Sequence, residues 1–381
     1  MAVHGFLTDS RMLSVAFAGS ALTALLLALT QRWHGRLTLD LADGVQKAHT
    51  QPTSRVGGLA LVFGLTLALA YAYLHARAPG RVPLLLDRLC IAGAPAFAAG
   101  RAEDLSKRVG VSLRLLATMA SGVLACAVSG VVLRRVDIGW FDALLQSSWI
   151  AVPFTGFAVG GVANAINIVD GFNGLAGFTS LFAFAGYALL AGAYGDTHLM
   201  WLALLLGGTV LGFLLVNWPG GLLFLGDGGA YFTGFALAWV AVLLVQRHPG
   251  LSAFAVLLVL AHPVIEVLFS MFRRRVRHQQ TGMPDRLHFH SLFKRRCVDR
   301  CFRRMEPVAR NSLAGAMVGS ITLLLAGLAW LTRGSVAWAV AAFVGYAVVY
   351  VTAYARMVRY RWCSPWSFLL GRPHVAPARR A

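Results

Sequence analysis

The chain has 381 residues, 58% of them hydrophobic and only 13% charged, with a mean hydropathy of +0.67. A water-soluble domain of that composition would expose large apolar patches, so a soluble globular fold is excluded. The formal net charge of +19 would suggest nucleic acid in a soluble protein. Here the basic residues gather in particular loops, where they read as a topology signal and as contacts to anionic membrane lipids, with no nucleic-acid partner.

Crossing roughly 30 Å of hydrocarbon takes about 20 apolar residues. Eleven runs approach that length, at about 12–30, 56–75, 84–100, 113–133, 149–167, 174–194, 199–217, 229–246, 251–271, 312–332 and 335–355. The expected fold is an all-α integral membrane protein, a polytopic bundle of about eleven transmembrane helices. The first run follows only Arg11 as a basic flank and lacks a small-residue cleavage site, so it reads as a retained anchor. The third is the weakest, because Asp87 and Arg88 sit near its start. Cys90, Cys126, Cys297, Cys301 and Cys363 are too few and scattered for a disulfide framework and read as small hydrophobes.

The stretch 272–311 holds twelve Lys and Arg against Asp285, Asp299 and Glu306, and the chain after Ala355 adds six arginines and no acid. By the positive-inside tendency both are cytoplasmic. Counting back through eleven spans then puts the N-terminus in the periplasm and the C-terminus in the cytoplasm. The inner loops become 31–55, 101–112, 168–173, 218–228 and 272–311. Every unusual polar cluster falls within or beside one of them, so the chemistry is expected on the cytoplasmic side.

Acids at the ends of apolar spans are costly and usually bind something. In the run from Asn164 through Asn167 and Asp170 to Asn173, polar side chains recur every third residue, one helical face running into Asp-Gly and Asn-Gly turns. Phe224-Leu-Gly-Asp227-Gly-Gly sets a lone carboxylate among glycines. The two together supply the hard oxygens magnesium takes when phosphates also bind it; either alone reads as helix caps and a turn. Glu103-Asp104 is a repelling carboxylate pair that a cation or shared proton would relieve, or else a solvated pair balanced by Lys107 and Arg108. Lys47 and Arg55, with Gly57 and Gly58, offer two cations and two glycines suited to a diphosphate. Arg286, His288 and His290 lie within five residues of one basic loop.

In that order the residues resemble the polyprenyl-phosphate N-acetylhexosamine-1-phosphate transferases: Lys47 with Arg-x-Gly-Gly, Gly100-x-x-Glu103-Asp104, Asn-x-x-Asn-x-x-Asp-Gly-x-Asn-Gly-Leu, Phe-x-Gly-Asp-x-Gly, and Pro-Asp-Arg-x-His-x-His. The resemblance covers about residues 40–300. It implies ten or eleven spans in a bacterial inner membrane, and transfer of a sugar-1-phosphate from a UDP-N-acetylhexosamine to undecaprenyl phosphate, releasing UMP. It further implies that Asn167 and Asp227 bind magnesium, for which manganese could substitute, that Asn173 contacts uracil, and that Asp170 shapes that pocket beside Asn164. Lys47 and Arg55 would meet phosphates, Glu103 and Asp104 would face the acceptor phosphate, and Arg286, His288 and His290 would hold the sugar diphosphate. A homodimer is compatible with the family.

Three departures stand out. Glu103 replaces the first aspartate of the pair, Glu266 is the acid after Pro263, and His290 is followed by Ser291 where many members have a further histidine. These resemble members that initiate O-antigen or similar surface glycans more than the peptidoglycan branch. Residues 1–365 are expected to form one polytopic transferase domain, its last two spans at about 312–355, with 366–381 a basic tail. A membrane transporter with a cytoplasmic-face ion site is the alternative, since intramembrane acids also mark ion pathways; it predicts inverted halves and mid-membrane polar groups, and the sequence has neither.

Overall fold

A computed structural model describes residues 2–40, 53–75, 80–278 and 287–359. Lys47, Asp285, Arg286 and the basic tail therefore lie outside the described residues. α1 (Ala2–Leu29) and the short α2 (Gln31–Thr38) lead to β1 (Leu39–Asp40) and β2 (Thr53–Ser54), a two-residue antiparallel pair with Leu39 opposite Ser54. The rest of the described chain is helical: α3 (Gly58–His75), α4 (Arg81–Ser106), α5 (Val111–Ser129), the short α6 (Gly139–Leu144), α7 (Ser148–Val169), α8 (Leu175–Ala193), α9 (Thr197–Asn217) and α10 (Gly226–Arg247). Then come α11 (Ala253–Val259), α12 (Ala261–Val276), α13 (Phe289–Phe293), a π-helical turn at Lys294–Val298, α14 (Asp299–Cys301), α15 (Pro307–Gly319), α16 (Ile321–Thr332) and α17 (Val336–Val358).

Among the described residues, ten helical segments are long and apolar enough to cross a bilayer, α15 and α16 counting as one. α11 and α12 form a further apolar pair bent by 82°. The expected polytopic all-α bundle is thus observed, with one correction: the run at 251–271 is a broken helix, not a straight span. Leu260 leaves helical geometry at φ −101° and ψ 13°. Pro263 explains why the break falls there. It has no N–H and its ring would clash with the carbonyl one turn earlier, whereas in the first turn of α12 neither matters.

Two boundaries also move, and both bear on the site. α4 continues to Ser106, so Glu103 and Asp104 stand on the last turn of a helix and not in the loop expected at 101–112. α10 begins at Gly226, which puts Asp227 in its first turn.

α10 is the axis of the bundle. Its most apolar window is 94% buried, against 17% for α17 at the periphery, and it packs on α3, α4, α5, α7, α8, α9 and α11. Lipid tails are as apolar as leucine, so helices in a bilayer associate through close packing at small residues and through interhelical hydrogen bonds. The α5–α7 pair uses both. A Cβ on Gly122 would lie 2.9 Å from the Gly156 Cα, and Asn164 Nδ2 donates to Thr118 Oγ1 at 3.0 Å. Leu26, Phe157, Leu324 and Val348 are exposed on outer helices, as lipid-facing side chains should be.

Candidate active site

The site grows from the meeting of three backbone segments that glycines allow to touch. The chain after β2 runs alongside the lead into α10: Phe224 N–H donates to Ser54 O at 2.9 Å, Gly57 N–H to Phe224 O at 2.9 Å and Gly58 N–H to Leu225 O at 2.8 Å. A Cβ on Gly58 would lie 2.5 Å from Gly229 N, and one on Gly100 of α4 would lie 2.5 Å from both C and O of Asp227. Gly57 and Gly58 thus serve backbone contact with the Gly-Asp-Gly turn, where the sequence suggested direct contact with a diphosphate.

Contact at that range fixes the side chains. Asp104, 2% exposed, accepts the Asp227 and Gly228 N–H groups at 2.9 and 3.0 Å and so caps the N-terminus of α10. Asp227, 5% exposed, accepts Arg55 Nη2 on one oxygen at 2.8 Å and Arg114 Nη1 on the other at 2.6 Å. Arg55 Nε stands 3.9 Å from Asp104. Arg101 lies beside Asp104 on α4, and among the described residues its buried Nη1 has no hydrogen-bond partner, nor has the buried Nε of Arg114. Two unsatisfied guanidinium donors at one buried cluster leave room for an anion.

Glu103 points the other way from its neighbour. Its Oε2 accepts Val109 N–H at 2.8 Å and closes the turn after α4. Asp170 caps the C-terminus of α7 and is half-buried. Desolvation pushes its carboxyl up to about 7, with the charges of Asp227 and Asp104 adding to the rise and Arg55 opposing it. Asn167 lies one turn earlier, half-buried, its amide without a hydrogen-bond partner among the described residues. Asn164 spends its amide on Thr118 and on Gly160 O, inside the α5–α7 contact. Asn173, 3% exposed, donates to Ser312 Oγ at 3.1 Å, while its own Oδ1 is unpartnered among the described residues.

The histidine segment reaches the same turn from the other side. His290 packs edge-on against Phe172 at 5.0 Å, and a Cβ on Gly171 would lie 2.8 Å from His290 Nε2. The His288 and His290 rings are stacked at 5.5 Å. Glu266, 1% exposed, anchors them: it accepts His288 Nδ1 at 2.9 Å, Phe289 N–H at 3.1 and 3.2 Å, and Tyr350 Oη from α17 at 2.8 Å.

The structure therefore gathers Arg55, Asp104, Asp170 and Asp227 into one electrostatic cluster, brings His288 and His290 to its Asp170 turn, and turns Asn164 and Glu103 towards packing and turn contacts. Sequence reasoning passed over Arg101, Arg114 and the Tyr350 anchor. Arg114 carried a usable signal, a charge four residues into an apolar span. Arg101 adjoins Gly100 of the quoted motif, whereas nothing in the local sequence marks Tyr350.

For a metal, the described residues hold no group of three His, Cys, Asp or Glu able to bind one. Both Asp227 oxygens already meet arginines. A preformed cage is absent from the described residues, yet magnesium commonly takes one or two carboxylates and completes its shell with water and substrate phosphate. Asp227 and the unpaired amide of Asn167 fit that mode, and Arg55 and Arg114 could exchange the carboxylate for phosphate oxygens.

The model of glycosyl transferase family 4 matches residues 86–245, the stretch that carries Asp104, Asp170 and Asp227. Over that stretch the chain is similar to this family. It is 25% identical over 287 residues to a Bacillus subtilis (strain 168) protein named "Probable undecaprenyl-phosphate N-acetylglucosaminyl 1-phosphate transferase", covering 74% of this chain and 78% of that one. It is 27% identical over 295 residues to the undecaprenyl-phosphate alpha-N-acetylglucosaminyl 1-phosphate transferase of Escherichia coli (strain K12), covering 73% and 74%. The Yersinia pestis protein of the same name is 28% identical over 260 residues, 66% of this chain and 68% of its own.

Proposed function

We propose that this protein transfers N-acetylhexosamine-1-phosphate from a UDP-sugar to undecaprenyl phosphate, at the cytoplasmic face of a bacterial inner membrane, as the first step of O-antigen or another surface glycan. The carrying observation is the cluster of Arg55, Arg101 and Arg114 around the buried Asp227 and Asp104, with donors of Arg101 and Arg114 unsatisfied among the described residues at the end of the spans. The names of the relatives support the lipid acceptor and the transferred group.

Phosphoryl transfer asks mainly for positioning and charge neutralisation. An oxygen of the lipid phosphate attacks the sugar-bearing phosphorus, the bond from that phosphorus to the oxygen bridging it to UMP breaks, and UMP leaves with that oxygen. A phosphomonoester has a second pKa of about 6, so most of the acceptor is already dianionic at neutral pH and needs no strong base. Arg55, Arg101 and Arg114 neutralise phosphate oxygens. Asp104 holds the N-terminus of α10 in place, and Glu103 closes the turn that leads from α4 to Arg114 on α5. His288 and His290, with Arg286 from outside the described residues, would hold the sugar diphosphate; Asn173 would meet the uracil, and Lys47 the phosphates. Magnesium, held by Asp227 and Asn167, would supply further charge neutralisation at the diphosphate.

The test is UMP release by purified protein given undecaprenyl phosphate and a panel of UDP-sugars. Release that needs both substrates and stops in chelator is expected; none with any UDP-sugar sinks the reading. Omitting lipid separates the mechanisms, because exchange of labelled UMP into UDP-sugar at a rate near turnover would mean a covalent phosphosugar-enzyme.

A further inference from the structure

A second polar cavity, of about 600 Å³, lies at the far end of the helices that carry the Asp227 cluster. α4 starts there with Arg81, α9 starts there with Thr197 and His198, and α10 ends there with Arg247. At about 1.5 Å per residue, Arg247 is about 30 Å from Asp227 along α10, which is the thickness of the hydrocarbon core. The cavity and the cluster therefore face opposite leaflets.

Its lining is built in two parts. Arg81, Leu84, Leu85 and Arg88 recur on one face of the first two turns of α4, so two guanidiniums flank an apolar floor. Neither arginine has an ion pair or hydrogen bond among the described residues. Opposite them Asp196 is already engaged. It caps α9 through Leu199 N–H at 2.9 Å and holds Arg247 at 3.0 Å and His248 at 3.3 Å. Among the lining side chains three guanidiniums thus face one carboxylate, which is spent on positioning, and the further carboxyl of Asp9 lies on the His198 side. Most other basic residues gather at the Asp227 end, with Arg134, Arg135 and Arg333 sharing this one, so the positive-inside bias does not explain the surplus in the cavity.

We propose that this cavity binds the phosphate of an anionic phospholipid headgroup from the leaflet opposite the Asp227 cluster. Arg81, Arg88 and Arg247 take the phosphate oxygens, for which the guanidinium fork is suited. Leu84 and Leu85 take the first methylenes of the acyl chains, which a free phosphate would not use.

Native mass spectrometry on protein in neutral detergent, titrated with phosphatidylglycerol, tests this directly. Wild type should retain one more phosphatidylglycerol than Arg81→Gln/Arg88→Gln, whose apparent Kd should rise at least tenfold. Arg303→Gln/Arg304→Gln removes equal charge from an exposed basic loop at the other end, so it should weaken only loose lipid contacts and keep the tightest phosphatidylglycerol with wild-type apparent Kd, and Arg81→Lys/Arg88→Lys should recover part of the loss. Should the double glutamine variant not fold, the exposed Arg81→Gln alone is read in the same assay. A parallel titration with inorganic phosphate separates lipid from free anion. Equal retention by wild type and the glutamine variants overturns the proposal, as does saturation by inorganic phosphate with no gain from the lipid.

Discussion

Asp227 and Glu266 are both nearly inaccessible carboxylates, 5% and 1% exposed, yet they differ in what holds them. Asp227 is gripped by Arg55 and Arg114, whose side chains are 26% and 17% exposed and carry charges that an incoming phosphate can claim. Glu266 is enclosed by a tyrosine, a backbone N–H and His288, with no arginine or lysine among its hydrogen-bond partners in the described residues. A buried acid with exchangeable cationic partners suits ligand chemistry. A buried acid with fixed partners positions the segment that makes them, here the histidine segment.

The comparison is sharpest at Asp227→Asn. The amide keeps the size and one acceptor but loses the charge, so turnover measured as UMP release should fall at least about a thousandfold, about 4 kcal/mol. The thermal midpoint should stay within a few degrees; retention of a tenth of wild-type turnover would move Asp227 into the same class as Glu266. Next in size, Gly100→Ala drives a methyl to 2.5 Å from the Asp227 backbone and Gly228 N. Forcing α4 and α10 apart should cost about 1–3 kcal/mol of stability and lengthen the Asp104 cap. Turnover should drop by about ten- to a hundredfold on that barrier scale, and unchanged kinetics would show that the cap distance is irrelevant.

Glu266→Gln should instead act mainly on stability, by about 1.5–3 kcal/mol for lost charged hydrogen bonds, with Tyr350→Phe costing about 1 kcal/mol. Denaturation in detergent reads both. A Glu266→Gln protein as stable as wild type but inactive would mean that Glu266 works on substrate. The smallest effect is expected at Asp170, whose folded carboxyl at about 7 lies above its usual 3.8. Its contribution to stability is present in full below about pH 4 and is lost as pH rises through 7. Asp170→Asn should therefore raise the melting temperature by a few degrees at pH 8 and by less at pH 5, and an equal gain at both pH values would contradict that assignment.

Much of this protein was legible in order along the chain. Apolar run length announced the helices because hydrocarbon thickness sets a one-dimensional requirement, and Asp104, Asp170 and Asp227 stood out because an acid beside such runs is costly, while Arg55 stood out as a cation beside two glycines. What needed the tertiary structure was direction and partnership. Glu103 and Asp104 are adjacent, yet the helical rotation between them sends one to the turn at Val109 and the other to the N-terminus of α10. Asn164 and Asn167 share a motif, but α5 passes close enough to claim only Asn164. Arg114 was hidden because its charge makes sense only once Asp227, 113 residues later, comes within hydrogen-bond reach, and the Tyr350–Glu266 bond joins positions 84 apart. Local sequence carries the price of burying a charge, whereas the partner that makes the burial tolerable is supplied by helices that meet only in the folded bundle.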